Sequence, residues 1–99
     1  MIQILKVDEW ESNPHRWYVA DVKTFTGWRA IARTFGITEL KQFKEMLVGK
    51  YHATIESYNP FTDFLLFTFD NYANAHKFKL DVNRIARKQN IQVEKWVKK

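Results

Sequence analysis

The chain contains no cysteine. That absence excludes disulfides, thiolate zinc sites and cysteine nucleophiles, and it suits a reducing compartment. Glycine is scarce, at three residues in 99, and the three stand too far apart to form a phosphate-cradling loop. No segment approaches the roughly 20 apolar residues of a membrane-spanning helix. The opening stretch MIQILKVDEW lacks the apolar run and small-residue cleavage site of a signal peptide. The expectation is a cytoplasmic protein without a membrane partner. His15, His52 and His76 show no metal-ligand spacing. Ser12 and Ser57 sit in no nucleophile motif, and Asp8 and Glu9 would point to opposite faces of a strand. No catalytic residue, metal or cofactor is expected, and the chain does not read as an enzyme.

What is present is aromatic and basic. Aromatic residues make up 16% and hydrophobic residues 45% of the chain, enough for one packed core in a single domain of 99 residues. The formal charge is +5, and its distribution is uneven. From Lys77 onward there are eight basic residues against Asp81 and Glu94, a surplus of six that exceeds the charge of the whole chain. The positive field therefore belongs to the last quarter of the sequence, where it either attracts a polyanion or simply keeps the protein solvated.

Residues 2–10 read as a strand, ESNPH as a turn around Pro14, and 16–25 as a second strand. In that second strand Tyr18, Ala20 and Val22 form one face, and Trp17, Val19, Asp21 and Lys23 a more polar one. Trp28, Ile31, Ala32 and Phe35 then recur at helical spacing, with Thr26 as a candidate cap and Gly36 as a left-handed stop. A second helix begins near Thr38, turns Leu40, Phe43, Met46 and Leu47 inward, and has Gly49 as a natural end. YHATIESY and DFLLFTFD flank the turn NPFT as an antiparallel pair. Both faces of the second are apolar, Leu65, Phe67 and Phe69 against Phe64 and Leu66, which predicts a central strand. Asp70 or Asn71 caps a long helix to about Gln89, with Ala75, Phe78, Val82, Ile85, Ala86 and Gln89 on its buried side. Asn90 ends it, and IQVEKWV closes as a strand. The predicted class is α+β, an antiparallel sheet with helices on one face in ferredoxin-like strand order, plus an extra N-terminal strand.

The stretch GWRAIARTFGITELKQFKEML, residues 27–47, raises the question of a helix-turn-helix. Ala32 supplies the small residue that such a pair needs before its glycine. The outward face of the would-be recognition helix, however, carries Glu39, Lys41, Gln42 and Glu45, and carboxylates there oppose the phosphates on which duplex affinity depends. Duplex reading by this hinge is the less favoured option. The run TDFLLFTF, residues 62–69, stands where RNA-recognition domains carry the aromatic strand that stacks bases. Phe64 stands at a stacking position, but Leu66 replaces the second aromatic, Asp63 the glycine, and the basic residue is missing. Membership of that family does not follow. An apolar strand packed in a small core, or covered by a second copy of the chain, accounts for the same residues.

The long helix is more suggestive. At about 100° per residue, Lys77, Arg84 and Lys88 share one side with Arg87 beside them, nearly opposite the apolar stripe. Asp81 interrupts the row and is placed to pair with Lys77 or Arg84. Such a row suits a phosphate backbone, an acidic protein surface, or plain solvent. The functional expectation is a small regulatory or accessory protein that binds nucleic acid, RNA or a single strand in preference to duplex DNA. Lys77, Arg84, Arg87 and Lys88 would contact phosphates, and Phe64 and Trp17 would stack bases. The alternative is a protein-interaction module, for example a small regulator of a phage or mobile element docking on a host protein. A homodimer through the Phe64 and Leu66 face fits either.

Overall fold

The computed structural model describes residues 4–12, 16–20, 27–89 and 92–94. Among these, five strands and three helices follow the order β1 (Ile4–Ser12), β2 (Arg16–Ala20), α1 (Trp28–Thr34), α2 (Leu40–Tyr51), β3 (Thr54–Asn59), β4 (Phe64–Thr68), α3 (Tyr72–Lys88) and β5 (Gln92–Glu94). The mixed α+β class and the element order follow the sequence pattern. The assignments that fall on Asn13, Pro14, His15, Asp21, Val22, Lys23, Thr26, Asn90 and residues 95–97 lie outside the described residues.

The sheet does not have the expected order. β1 pairs antiparallel with β2, and β5 pairs with β1 in parallel, Ile4 opposite Gln92. This gives a three-stranded sheet β2-β1-β5, beside a separate antiparallel pair β3-β4. In a ferredoxin-like sheet the last strand would lie against β2. Here the free edge of β2 is taken by β1, its neighbour in sequence, whose pairing closes a short loop at low entropic cost. β5 is left to pair with β1 instead. The two sheets meet at one antiparallel bridge, where Trp17 and Phe69 exchange backbone hydrogen bonds of 2.8 Å in each direction.

All three helices contribute to a layer on one side of this arrangement. Phe43 of α2 and Phe78 of α3 both meet the ring of Phe67 edge-on, at centroid distances of 6.1 and 5.9 Å. Leu65, Phe67 and Phe69 are buried under the helices, while Phe64 and Leu66, on the other face of β4, are only half-buried. The two faces of β2 hold the residues that alternation sorts together, and it is the one with Trp17 and Val19 that meets the helices. Val19 is fully buried, and Trp17 packs edge-on against Tyr72 of α3 at 4.9 Å, so this pair faces the helices. Tyr18 lies on the opposite face and stacks on Trp10 of β1 at 5.3 Å. A strand with aromatics on both faces does not reveal by alternation which one the helices cover.

The helix stripes agree with their spacing. In α1, Trp28, Ile31 and Ala32 are buried; in α2, Phe43 and Leu47; in α3, Ala75, Phe78, Val82 and Ala86. Trp28 stacks on Phe43 at 5.9 Å and so locks α1 to α2. Gly27 is the N-cap of α1, and it makes no side-chain cap bond. Gly36 does take a positive φ of 73°. Gly49, in contrast, does not stop α2. The helix continues to Tyr51, which is buried against Phe78, and ends at His52 with φ 56°. Burying a tyrosine outweighs the roughly 1 kcal/mol that glycine costs inside a helix. Asn71 caps α3 as expected, its side chain accepting from the Asn74 amide at 2.9 Å. At the far end Gln89 is exposed, whereas Asn83 is buried, and the inward side of α3 is correspondingly wider than its apolar stripe.

Candidate nucleic-acid interface

The outward side of α3 is the part of the surface that sequence periodicity singled out, and its basic residues are indeed presented there. Lys77, Arg84, Arg87 and Lys88 are all exposed. Their placement follows from the opposite stripe: with Phe78, Val82 and Ala86 turned into the core, residues half a turn away must face solvent. Among the described residues no carboxylate pairs with Lys77, Arg87 or Lys88. Arg84 contacts Asp81 one turn earlier at 3.4 Å. Asp81 is also the acceptor for the Tyr51 hydroxyl at 2.7 Å, which ties α3 to the end of α2. Burial and the Asp81 carboxylate together push the Tyr51 pKa well above the usual phenol range. Leu80, half-exposed, lies within the same basic side, so the surface is mixed rather than purely ionic.

The two aromatic candidates do not join this row or each other. Trp17 is on the helix-covered face of β2, partly buried against the core and Tyr72. Phe64 is half-buried on the opposite face of β4. That second face also carries a polar knot, in which Arg16 pairs with Glu56 and Thr68 donates to the same Glu56 carboxylate at 2.9 Å. A single stacking platform built from Trp17 and Phe64 is therefore not what the fold assembles.

Two polar clusters were not legible in the sequence. In the first, Glu9 of β1 accepts from Lys79 at 2.6 Å and lies 3.1 Å from His76, with the Tyr72 hydroxyl at 3.2 Å. Burial acts to raise the Glu9 pKa, but the hydrogen bonds from Lys79 and His76 and the Lys79 charge outweigh it and hold it low. In the second, Asp63 sits in the β3–β4 turn with φ 57°, a conformation that aspartate tolerates better than most residues. Its carboxylate accepts from Trp28 Nε1 at 3.1 Å, from the Tyr58 hydroxyl at 2.6 Å, and from Arg29 through Nε and Nη2. The Arg29 guanidinium, with the Tyr58 and Trp28 donors, lowers the Asp63 pKa to about 2. This clamp pins the turn to the start of α1 and displays Phe61, at the tip, with 97% exposure.

On α2, Glu39, Lys41, Gln42 and Glu45 are exposed, so the carboxylates that argue against duplex reading do face outward. Among the described residues no helix is long and apolar enough to cross a membrane. What fold and surface define is a small basic α+β protein that, among the described residues, presents an exposed row of basic residues on α3. Comparison with protein families, with curated proteins and with solved structures gives no match.

Proposed function

We propose that the protein binds nucleic acid, RNA or a single strand, along the outer side of α3. The observation that carries this reading is the exposed row Lys77, Arg84, Arg87 and Lys88, in which only Arg84 meets a carboxylate among the described residues. Unpaired cations on a rigid helix release condensed counterions when they meet phosphates, and this release supplies sequence-independent affinity. Gln89 donates to the Thr34 carbonyl at 3.0 Å, which ties the end of α3 to the end of α1 and holds the helix that carries the row. Anisotropy titration of a labelled single-stranded oligonucleotide over a range of salt tests the reading. Replacing Arg87 and Lys88 by glutamate should weaken binding and flatten the log-log salt slope by roughly 0.7 for each lost contact. An unchanged slope in a folded double variant rejects it.

A second reading, docking on a protein surface, is favoured by one specific feature. Phe61 projects almost wholly into solvent from a turn that the Asp63 clamp holds in place. A fixed, exposed aromatic costs little entropy to bury against a partner. The two readings separate on the freshly purified protein. An absorbance ratio at 260 over 280 nm that falls after a high-salt wash marks bound nucleic acid; a normal ratio with a protein partner lost on Phe61→Ser marks the second.

A further inference from the structure

A carboxylate stands within the basic row of α3. At about 100° per residue, Asp81 falls within roughly 60° of Lys77, Arg84 and Lys88 around the helix axis. Of the two cations one turn away from it, it pairs with Arg84, Oδ1 to Nη2 at 3.4 Å. Its other oxygen, Oδ2, accepts from the Tyr51 hydroxyl at 2.7 Å. Tyr51 has no room to swing aside and release it. The ring is 1% exposed, edge-on to Phe78 at 4.9 Å and 6.3 Å from Phe35. The carboxylate is therefore held from inside the core, whereas Arg84 is exposed and can turn away from it. A tie between α2 and α3 needs an acceptor for the Tyr51 hydroxyl but no charge on that acceptor.

We infer that Asp81 is a built-in competitor of phosphate for Arg84 and holds down the affinity of the row for a nucleic-acid strand. This rests on the reading of the row as a nucleic-acid interface. Arg84 reaches a phosphate only by giving up Asp81. Asp81, tethered by Tyr51, then stays beside the strand as an uncompensated negative charge. The first effect acts through Arg84 alone, and the second acts on every phosphate within a Debye length. Tyr51 is a positioning residue here, because its hydroxyl keeps the carboxylate at the row. The result is a surface that engages a strand through Lys77, Arg87 and Lys88 at no such cost and through Arg84 at the expense of an ion pair.

Asp81→Asn in the full chain is the test, since asparagine keeps an oxygen for the Tyr51 hydroxyl and removes only the charge. Anisotropy with a labelled oligothymidylate at about 50 mM salt, where screening is weak, compares the parent, Asp81→Asn, Arg84→Gln and the double variant. Asp81→Asn should bind roughly threefold more tightly, the equivalent of an exposed ion pair that no longer has to be broken. In the Arg84→Gln background the same change should gain clearly less, because the pair is already absent. Glu45→Gln, which removes an equal charge from the exposed side of α2, should gain least. Circular dichroism checks that each variant is folded, and Asp81→Gln repeats the measurement with a second uncharged acceptor. No gain from either substitution of Asp81 overturns the inference. An equal gain without Arg84, or from Glu45→Gln, overturns it too, because charge alone would then account for the effect. Loss of binding on replacing Arg87 and Lys88 by glutamate, with no gain in Asp81→Asn, leaves the row as the interface and removes Asp81 from its control. Unchanged binding in both removes the row itself.

Discussion

Asp63 and Asp81 gather the same partners, a tyrosine hydroxyl and an arginine, and use them differently. At Asp63 the hydroxyl of Tyr58 and the fork of Arg29 converge from separate elements, and the arginine is also stacked on Trp28. At Asp81 the hydroxyl of Tyr51 arrives from a buried ring, but Arg84 is a neighbour on the same helix and only at 3.4 Å. The first cluster therefore fixes a cation in space, and the second leaves its cation free to move. A fixed guanidinium presents a defined geometry to a ligand; a loosely tethered one supplies charge at many positions along a backbone.

The largest test of that contrast removes the tyrosines. Tyr51→Ala deletes a ring that is 1% exposed and packed on Phe78, and should cost about 3–5 kcal/mol in denaturant unfolding. Tyr58→Ala, at a half-buried position, should cost clearly less while loosening the β3–β4 turn. Equal losses would mean that both tyrosines act mainly through packing. A smaller effect comes from Tyr51→Phe, which keeps the ring and removes its bond to Asp81; about 1 kcal/mol is expected.

Acid distinguishes the two aspartates further. Folding holds the Asp63 pKa at about 2, below its ordinary 3.8. Its contribution to stability is thus present above 3.8 and is lost as pH falls towards 2. Urea midpoints measured from pH 6 down to pH 2 should drop less steeply in Asp63→Asn than in the parent, and parallel curves would remove Asp63 as the cause. The Glu9 cluster contributes in the same direction, so the Asn variant should retain part of the acid sensitivity. The smallest effect is expected for Arg84→Gln. An exposed pair on one helix contributes about 0.5 kcal/mol or less, so stability should hardly change.

Much of the helical layer was legible, because residues that recur every three or four positions declare a face. The stripes Trp28, Ile31, Ala32 and Ala75, Phe78, Val82 were found in this way, and so was the exposed row from Lys77 to Lys88. The sheet was harder. In β2 alternation separates Trp17 and Val19 from Tyr18, but with an aromatic on each face it does not say which one the helices cover. Gly49 carried a strong local stop signal that the burial of Tyr51, two residues on, overrode. The insertion of β1 between β2 and β5 depends on which edge is free after the first hairpin forms, and no local window contains that information. The Asp63 clamp joins residues far apart in the chain, and its only local hint was an aspartate after Asn59-Pro60 in a turn.

The bridge between Trp17 and Phe69 carries a consequence for how the chain comes apart. On one side of this seam lies a hairpin whose strands are neighbours in sequence. On the other, a parallel pair joins Ile4 to Gln92 and encloses nearly everything between them. A contact of such long range is entropically expensive to close and contributes little to early folding. The seam thus separates an inner block, able to assemble from local contacts, from an outer belt that fastens around it. Native-state hydrogen exchange should show the β1–β5 amides opening at a lower free energy than those of β3 and β4. The Trp17 and Phe69 amides, which tie belt to block, mark the line along which the two cooperative units part.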